Sequence, residues 1–239
     1  MRYLIVSDLH ANWEALQAVI EDAAGSYDKI ACCGDVVGYG ADPDRVTEWV
    51  RANVSAIVRG NHDKACAGLE DLEWFNPAAR ASALWTQSVA DAGNLEYLRR
   101  LARGPENCNG FQLIHGSPVD EDEYLLTDRE VNDIAPYLDA EVTFFGHTHV
   151  QTGFLCHRNG VKVLGQEVIE PENDVRYLIN PGSVGQPRDN DPRAAYVLHD
   201  TVGRTIEFRR VAYDVEKAQQ KIIQAGLPDL LARRLATGN

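Results

Sequence analysis

The run FFGHTHV, residues 144–150, closes an apolar stretch with two histidines, His147 and His149, one residue apart, in a chain that has only seven. Similar endings recur along the sequence. Asp8 and His10 follow RYLIV, Asp35 follows KIACC, Asn61 and His62 follow SAIV, and His115 ends FQLIH. Five of the seven histidines, two aspartates and an asparagine thus stand where short apolar runs stop. Imidazole, carboxylate and carboxamide donors without thiolates suit borderline divalent ions such as Mn, Fe, Zn, Co or Ni rather than calcium. Each group has a plainer reading when taken singly: Asp8 or Asp35 as a helix cap, GNHD as a tight turn, His115 as a satisfied core imidazole, HTH as a strand end. Coincidence of all of them is improbable, and together they point to a metal centre. In extended backbone Asp8 with His10, and His147 with His149, would point the same way, so each pair could serve one ion or two neighbouring ions.

Bringing such distant residues together requires a frame, and the apolar pattern supplies one. RYLIV reads as a strand, and Trp13, Leu16, Val19, Ile20 and Ala23 recur at helical spacing after it. KIACC reads as a strand, RVTEWVRANV after Pro43 as a helix and SAIV as a strand, so the first sixty residues are β-α-β-α-β. Two helical patterns lie between Pro77 and Leu101, followed by the strand FQLIH, a helix from about Asp128 to Leu138 and the strand VTFFGH. From Val150 to Val211 short β-like segments alternate with the turns RNG, PEND, NPGS and DTVG, before a terminal helix around Val215 to Ile223. The expectation is one domain over 1–239: an α/β half to residue 150, a mainly antiparallel half over 151–212, and a C-terminal helix in 213–239. In open α/β sheets strand ends gather along one edge where ligands bind, so the polar endings should converge.

Composition narrows the class. With 44% hydrophobic residues in 239, the chain can bury a proper core. No apolar run approaches the ~18 to 20 residues of a membrane helix, and MRYLIVSDLH meets charge too early for a signal peptide, so a cytoplasmic protein without a membrane partner is expected. Cys32, Cys33, Cys66, Cys108 and Cys156 include an adjacent pair and no C-x-x-C spacing, which predicts reduced packing residues. The net charge of −13 argues against nucleic acid and means that an anionic substrate must be met by concentrated positive charge. GDVVGYG lacks both the G-K-[ST] ending of a P-loop and the spacing of a dinucleotide fingerprint.

The ordered runs DLH, GDVVGYG, GNHD, IHG and GHTH resemble the calcineurin-like metallophosphoesterase superfamily. SDLHANWEAL and NPGSVGQPRD resemble its small bacterial branch of phosphodiesterases and phosphatases, and the likeness runs from Ser7 to about Arg193. It implies an α/β fold, a four-layer α-β-β-α sandwich of two mixed sheets flanked by helices, with the site at the strand ends. It also implies that Asp8, His10 and His149 hold one divalent ion, that Asn61, His115 and His147 hold a second, that Asp35 bridges them, and that His62 faces substrate. Two ions ~3.5 to 4 Å apart can acidify a shared water and clamp phosphoryl oxygens. Against Asp8, Asp35 and a hydroxide, they leave about one positive charge in a strongly acidic chain.

The implied function is hydrolysis of a small phosphomonoester or phosphodiester by attack of a dimetal-bridging hydroxide. A phosphoprotein or a dinucleoside polyphosphate is the alternative substrate, and a catalytically silent interaction module the alternative class. All seven ligand positions carry competent side chains, which favours the enzyme. His62 would give a proton or hydrogen bond to the leaving oxygen, work worth ~10² to 10⁴ in rate. In the related serine/threonine protein phosphatases the matching segment reads G-D-x-V-D-R-G, its second aspartate orienting that histidine and its arginine gripping phosphate. Here Gly38 and Tyr39 stand in those places. Asp63 is then either a substitute orienter or a turn cap, and Arg59, Arg188 and Arg193 are either phosphate contacts or solvated charges. The acidic run Asp120 to Glu123 is a loop near the site that disfavours highly charged substrates, or a plain solvated loop. Asn12 caps the first helix or reaches the site, Trp74, Phe75 and Trp85 stack on a leaving group or pack helices, and His157 and His199 have no companions.

Overall fold

Alternation along the first strand sets the layering. In β1 (Arg2–Val6), Tyr3 and Ile5 face one way, into an apolar layer with Phe111, Leu113, Phe144, Tyr177 and Ile179. Leu4 and Val6 face the other way, against Leu16, Val19, Val46 and Val50. Side chains of a strand alternate between faces, so a strand apolar on both must be covered on both. The computed structural model describes residues 1–165 and 168–239. Its further strands are β2 (Lys29–Cys32), β3 (Ala56–Ile57), β4 (Glu106–Asn107), β5 (Gln112–Leu113), β6 (Val142–Phe144), β7 (Thr152–His157), β8 (Gly160–Leu164), β9 (Arg176–Asn180), β10 (Ala194–Asp200) and β11 (Thr205–Val211). They form a five-stranded sheet in the order β11-β10-β1-β2-β3 and a six-stranded sheet in the order β4-β5-β6-β9-β7-β8. The layer around Tyr3, Phe111 and Phe144 is the core between the two sheets.

Helices cover the outer faces. Against the first sheet lie α1 (Trp13–Asp22) and α2 (Pro43–Asn53), joined on that side by α3 (Asn61–Cys66), α4 (Pro77–Val89) and α5 (Ala92–Arg99). Against the second lies α6 (Asp128–Ile134), where Val131 and Ile134 meet Ile114, Phe145, Phe154 and Leu178. The chain is therefore an α-β-β-α sandwich with mixed sheets. Within them β1, β2 and β3 are parallel to one another, as are β5, β6 and β9.

Three expectations need correction. GNHD is the start of a helix rather than a simple turn, with Gly60 preceding α3 and its N–H donating to Asp63 Oδ2 at 2.9 Å. The C-terminal stretch holds two helices, α7 (Val215–Gln224) and α8 (Asp229–Thr237), because Gly226 and Pro228 interrupt the pattern and let Ala218, Ile222, Leu231 and Leu235 pack together. The boundary near residue 150 also does not divide the sheets: β10 pairs with β1, and β9 with β6. No helix among the described residues is long and apolar enough to cross a membrane.

Candidate metal centre

The loops after β1, β2, β3, β5 and β6 bring all the predicted ligands to one end of the sandwich, almost wholly buried where burial is tightest: Asp8, His10, Asp35, His115, His147 and His149 are each at most 4% exposed. Their backbones are unusual. Asp8, His10, Asp35, His147 and His149 all have positive φ, between 46° and 66°. That left-handed conformation costs L-residues roughly 1 to 3 kcal/mol each and is met most readily by Asn, Asp and His outside glycine. The expectation that residues two apart point the same way holds for Asp8 and His10, which enter one group, and fails for His147 and His149, because it rests on extended backbone and this loop is not extended. His147 and His149 turn to different groups.

One group is Asp8, His10, Asp35 and His149, and the other is Asp35, His115 and His147, with donor atoms inside each within 4.8 Å of one another. Asp35 belongs to both. Its Oδ2 lies 3.6 Å from His10 Nε2 and 3.6 Å from His115 Nε2. Asn61 Oδ1 is 3.4 Å from His115 Nε2, which adds a carboxamide to the second group.

Backbone carbonyls fix which nitrogen of each ring faces inward. A carbonyl only accepts, so the imidazole nitrogen beside it carries the proton and the other keeps its lone pair. His10 Nδ1 donates to the Val37 carbonyl at 3.0 Å, His115 Nδ1 to that of Cys33 at 2.7 Å, and His149 Nδ1 to that of Gln186 at 2.6 Å. His147 is held through Nε2 by the Asp122 carbonyl at 3.0 Å. Two lone pairs, His10 Nε2 and His149 Nε2, consequently face each other at 3.0 Å. That contact is repulsive without a cation between them. Asp8 Oδ2 and Asp35 Oδ2 are buried with no hydrogen-bond partner, again the arrangement a cation would satisfy.

The electrostatics agree. Burial, then nearby His62, holds His10 well below the ordinary histidine range; burial, then His115, does so for His147; burial, then Arg188, for His149. The rings are neutral and ready to ligate. Burial pushes the Asp8 carboxyl up to about 7, and burial followed by the Asp63 charge raises Asp35 well above the carboxylate range. Divalent charge would reverse both shifts.

His62 borders the centre without joining either group. Its ring lies tilted against Tyr39 at 4.3 Å between centroids and meets Phe75 edge-on at 5.5 Å. Burial first and Arg188 second depress it to about 3. Nδ1 is sealed and has no partner among the described residues. Gly38 explains the sealing: with φ +88°, a Cβ there would lie 2.5 Å from His62 Nδ1.

Asp63 spends its carboxylate elsewhere. Oδ1 accepts from the backbone N–H of Val36 at 2.8 Å and of Val37 at 3.3 Å, and Oδ2 from Asp35 and Gly60 at 2.9 Å each. These contacts are those of a turn cap that fixes the Asp35 loop. Of the three arginines, Arg59 forks onto Glu121 and Arg193 onto Asp191, whereas Arg188 reaches the Tyr39 hydroxyl at 3.1 Å. The acidic run is neither free nor fully solvated, since Lys64 binds Glu121 and Asp122. Asn12 Oδ1 caps α1 while its amide donates to the Gly185 carbonyl. Trp74 is 92% exposed, and Trp85 packs with the α7–α8 layer.

Two features escaped the sequence reading. The loop after β9 braces the centre: Ser183 Oγ donates to the Asp8 carbonyl at 2.8 Å, and the same loop supplies the Gln186 carbonyl. Tyr124, at the end of the acidic run, lies 4.0 Å from the His147 ring. NPGSVGQPRD was visible as a motif but carries no histidine; nothing in the sequence marked Tyr124.

Comparison with known proteins gives the same picture. Residues 1–204 match the model of the calcineurin-like phosphoesterase superfamily domain. An uncharacterized protein of Methanocaldococcus jannaschii is 40% identical over 240 residues, covering 98% of this chain and 97% of the relative. A crystal structure of a metallophosphoesterase from Sphaerobacter thermophilus superposes with a TM-score of 0.87 at 39% identity, covering 100% of this chain and 99% of that one. A hypothetical protein from Pyrococcus horikoshii OT3 superposes with a TM-score of 0.80 at 20% identity, over 100% and 98% of the two chains, and shows the shared fold. With its motifs, its sandwich and its buried ligand cluster all in agreement, the chain belongs to the calcineurin-like phosphoesterase superfamily.

Proposed function

We propose that the protein is a two-metal phosphoesterase acting on small phosphomonoesters or phosphodiesters. The observation that carries this reading is the pair of buried donor groups sharing Asp35, in which imidazole lone pairs already face one another. Asp8, His10, Asp35 and His149 would hold one ion, and Asp35, Asn61, His115 and His147 the other. When bound, two such ions lower the pKa of a shared water and offset the charge of a phosphate ester. The chain's own work is positional. The Val37, Cys33, Asp122 and Gln186 carbonyls fix the tautomers of the four histidines, and Asp63 fixes the Asp35 loop. His62, neutral and open at Nε2, supports the departing oxygen by donating a hydrogen bond from that nitrogen.

Intact ligands favour an enzyme over an inert binding module, and one experiment separates them. Purified protein is analysed for metal, then assayed on p-nitrophenyl phosphate and bis-p-nitrophenyl phosphate with Mn²⁺ added. About two ions per chain and metal-dependent release of p-nitrophenol are expected. Two bound ions with no turnover of either ester, or of a wider phosphate-ester library, would favour the inert module.

A further inference from the structure

Arg188 is a charge without a counterion among the described residues. Asp189 beside it is bonded by Arg210, and Asp191 by Arg193. Arg188 itself reaches only neutral groups among the described residues, the Tyr39 hydroxyl at 3.1 Å and Gln186 Oε1 at 3.4 Å, and its Nε is sealed from solvent with no partner. In a chain of net charge −13, carboxylates are abundant, and a partly buried guanidinium left unpaired is costly.

Its place in the fold explains the cost. Arg188 N–H donates to the His149 carbonyl at 3.2 Å, so the residue is anchored to a ligand-bearing loop. The guanidinium carbon lies 5.6 Å from the Tyr39 ring, and that ring packs at a tilt against His62 at 4.3 Å and His10 at 4.6 Å. Tyr39 thus touches both the histidines, through its ring, and the arginine, through its hydroxyl. It occupies the place where the protein phosphatases carry their phosphate-gripping arginine. Here an arginine from the loop after β9 is brought to that tyrosine.

We propose that Arg188, positioned by Tyr39, binds the unesterified oxygens of the substrate phosphate and biases the site toward monoesters over diesters, an inference that rests on the phosphoesterase reading. Near neutral pH a monoester carries two charges on three unesterified oxygens, and a diester one charge on two. A fixed guanidinium fork beside the centre therefore adds more to the binding of the monoester.

The test uses the metal-loaded protein and the variants Arg188→Met, Arg188→Lys and Tyr39→Phe. Metal content is expected to be unchanged in each. Calorimetric titration with inorganic phosphate should show binding weakened on the order of tenfold or more in Arg188→Met, with Arg188→Lys and Tyr39→Phe between it and the wild type. On the two nitrophenyl esters, kcat/KM should fall at least about tenfold further for the monoester than for the diester. Undiminished phosphate binding in Arg188→Met, or equal losses on the two esters, would overturn the proposal. If Arg188→Met loses metal, the lysine and phenylalanine variants decide by the same ratio. A wild-type protein that binds phosphate through Arg188 yet hydrolyses neither ester would overturn the phosphoesterase reading, and with it the monoester bias, while leaving the arginine's anion contact standing.

Discussion

Asp63 provides the sharpest test of how the centre is built, because it should control metal binding without touching metal. The substitution Asp63→Asn changes one oxygen to an amide nitrogen. Each carboxylate oxygen accepts two backbone N–H groups, Val36 and Val37 on Oδ1, Asp35 and Gly60 on Oδ2, in a residue with no solvent exposure. Whichever way the new amide turns, two buried donors then face a donor. An unsatisfied buried donor costs about 1 to 3 kcal/mol, so the variant should lose about 2 to 6 kcal/mol. For a chain of this size 1 kcal/mol moves Tm by about 2 to 4 °C, which predicts a fall of roughly 4 to 24 °C. The affected backbone carries Asp35 and leads into Asn61, so both ions should bind more weakly. Scanning calorimetry of the metal-free proteins, with metal analysis after reconstitution, measures both effects. A Tm within about 2 °C of wild type together with full metal content would refute this account of the site. An unchanged Tm with a depressed kcat would restore Asp63 to the role of orienting His62.

The other predictions concern single histidines. His147→Ala and His149→Ala should deplete different ions although the residues are neighbours, since the two rings lie in different donor groups; anomalous scattering from crystals of each variant locates the loss, and depletion of the same position in both would contradict it. His62→Gln should retain metal but lower kcat/KM by up to ~10² to 10⁴ for an alkyl phosphate and by less for p-nitrophenyl phosphate, whose leaving group needs no proton; equal losses would make His62 a phosphate-positioning residue. His199 lies between Phe111 and Phe144, 5.4 Å from each ring, with Nε2 buried and unpartnered, and burial lowers its pKa. The unfolded imidazole takes up a proton near pH 6.5 while the folded one resists it, so this residue's contribution to stability is retained above that pH and lost as pH falls below it. The Tm of His199→Leu relative to wild type should therefore shift in the variant's favour between pH 7.5 and 5.5, and a pH-independent difference would show that His199 does not titrate on unfolding.

Sequence reading found the residues of the donor cluster because their chemistry contrasts with their surroundings. A histidine or aspartate at the end of an apolar run is conspicuous, and parallel strand ends have few places to go except one edge. It went astray where conformation depended on the partner. His147 and His149 were read as a pair facing one way, yet left-handed backbone at both turns them to different donor groups. Nothing local distinguishes Asp63 the cap from Asp63 the orienter, since the four amides it binds lie on Gly60 and up to 28 residues away. Nor could composition rank Arg59, Arg188 and Arg193; only the fold reveals that Glu121 and Asp191 neutralise two of them. The second C-terminal helix was missed although Gly226 and Pro228 mark the break.

The interleaving of the sheets has a consequence for biosynthesis. Every predicted ligand has been made once His149 is added, but at that moment β1 lacks β10, and β6 lacks β9. The Ser183 and Gln186 braces are also still to come. At about 5 to 20 residues per second, Asp200 follows His149 by roughly 2 to 10 s. During that interval the predicted ligands are a loose set of histidines and carboxylates with no enforced tautomer and no enforced separation. Under the two-metal reading, discrimination between ions thus belongs to the completed sandwich.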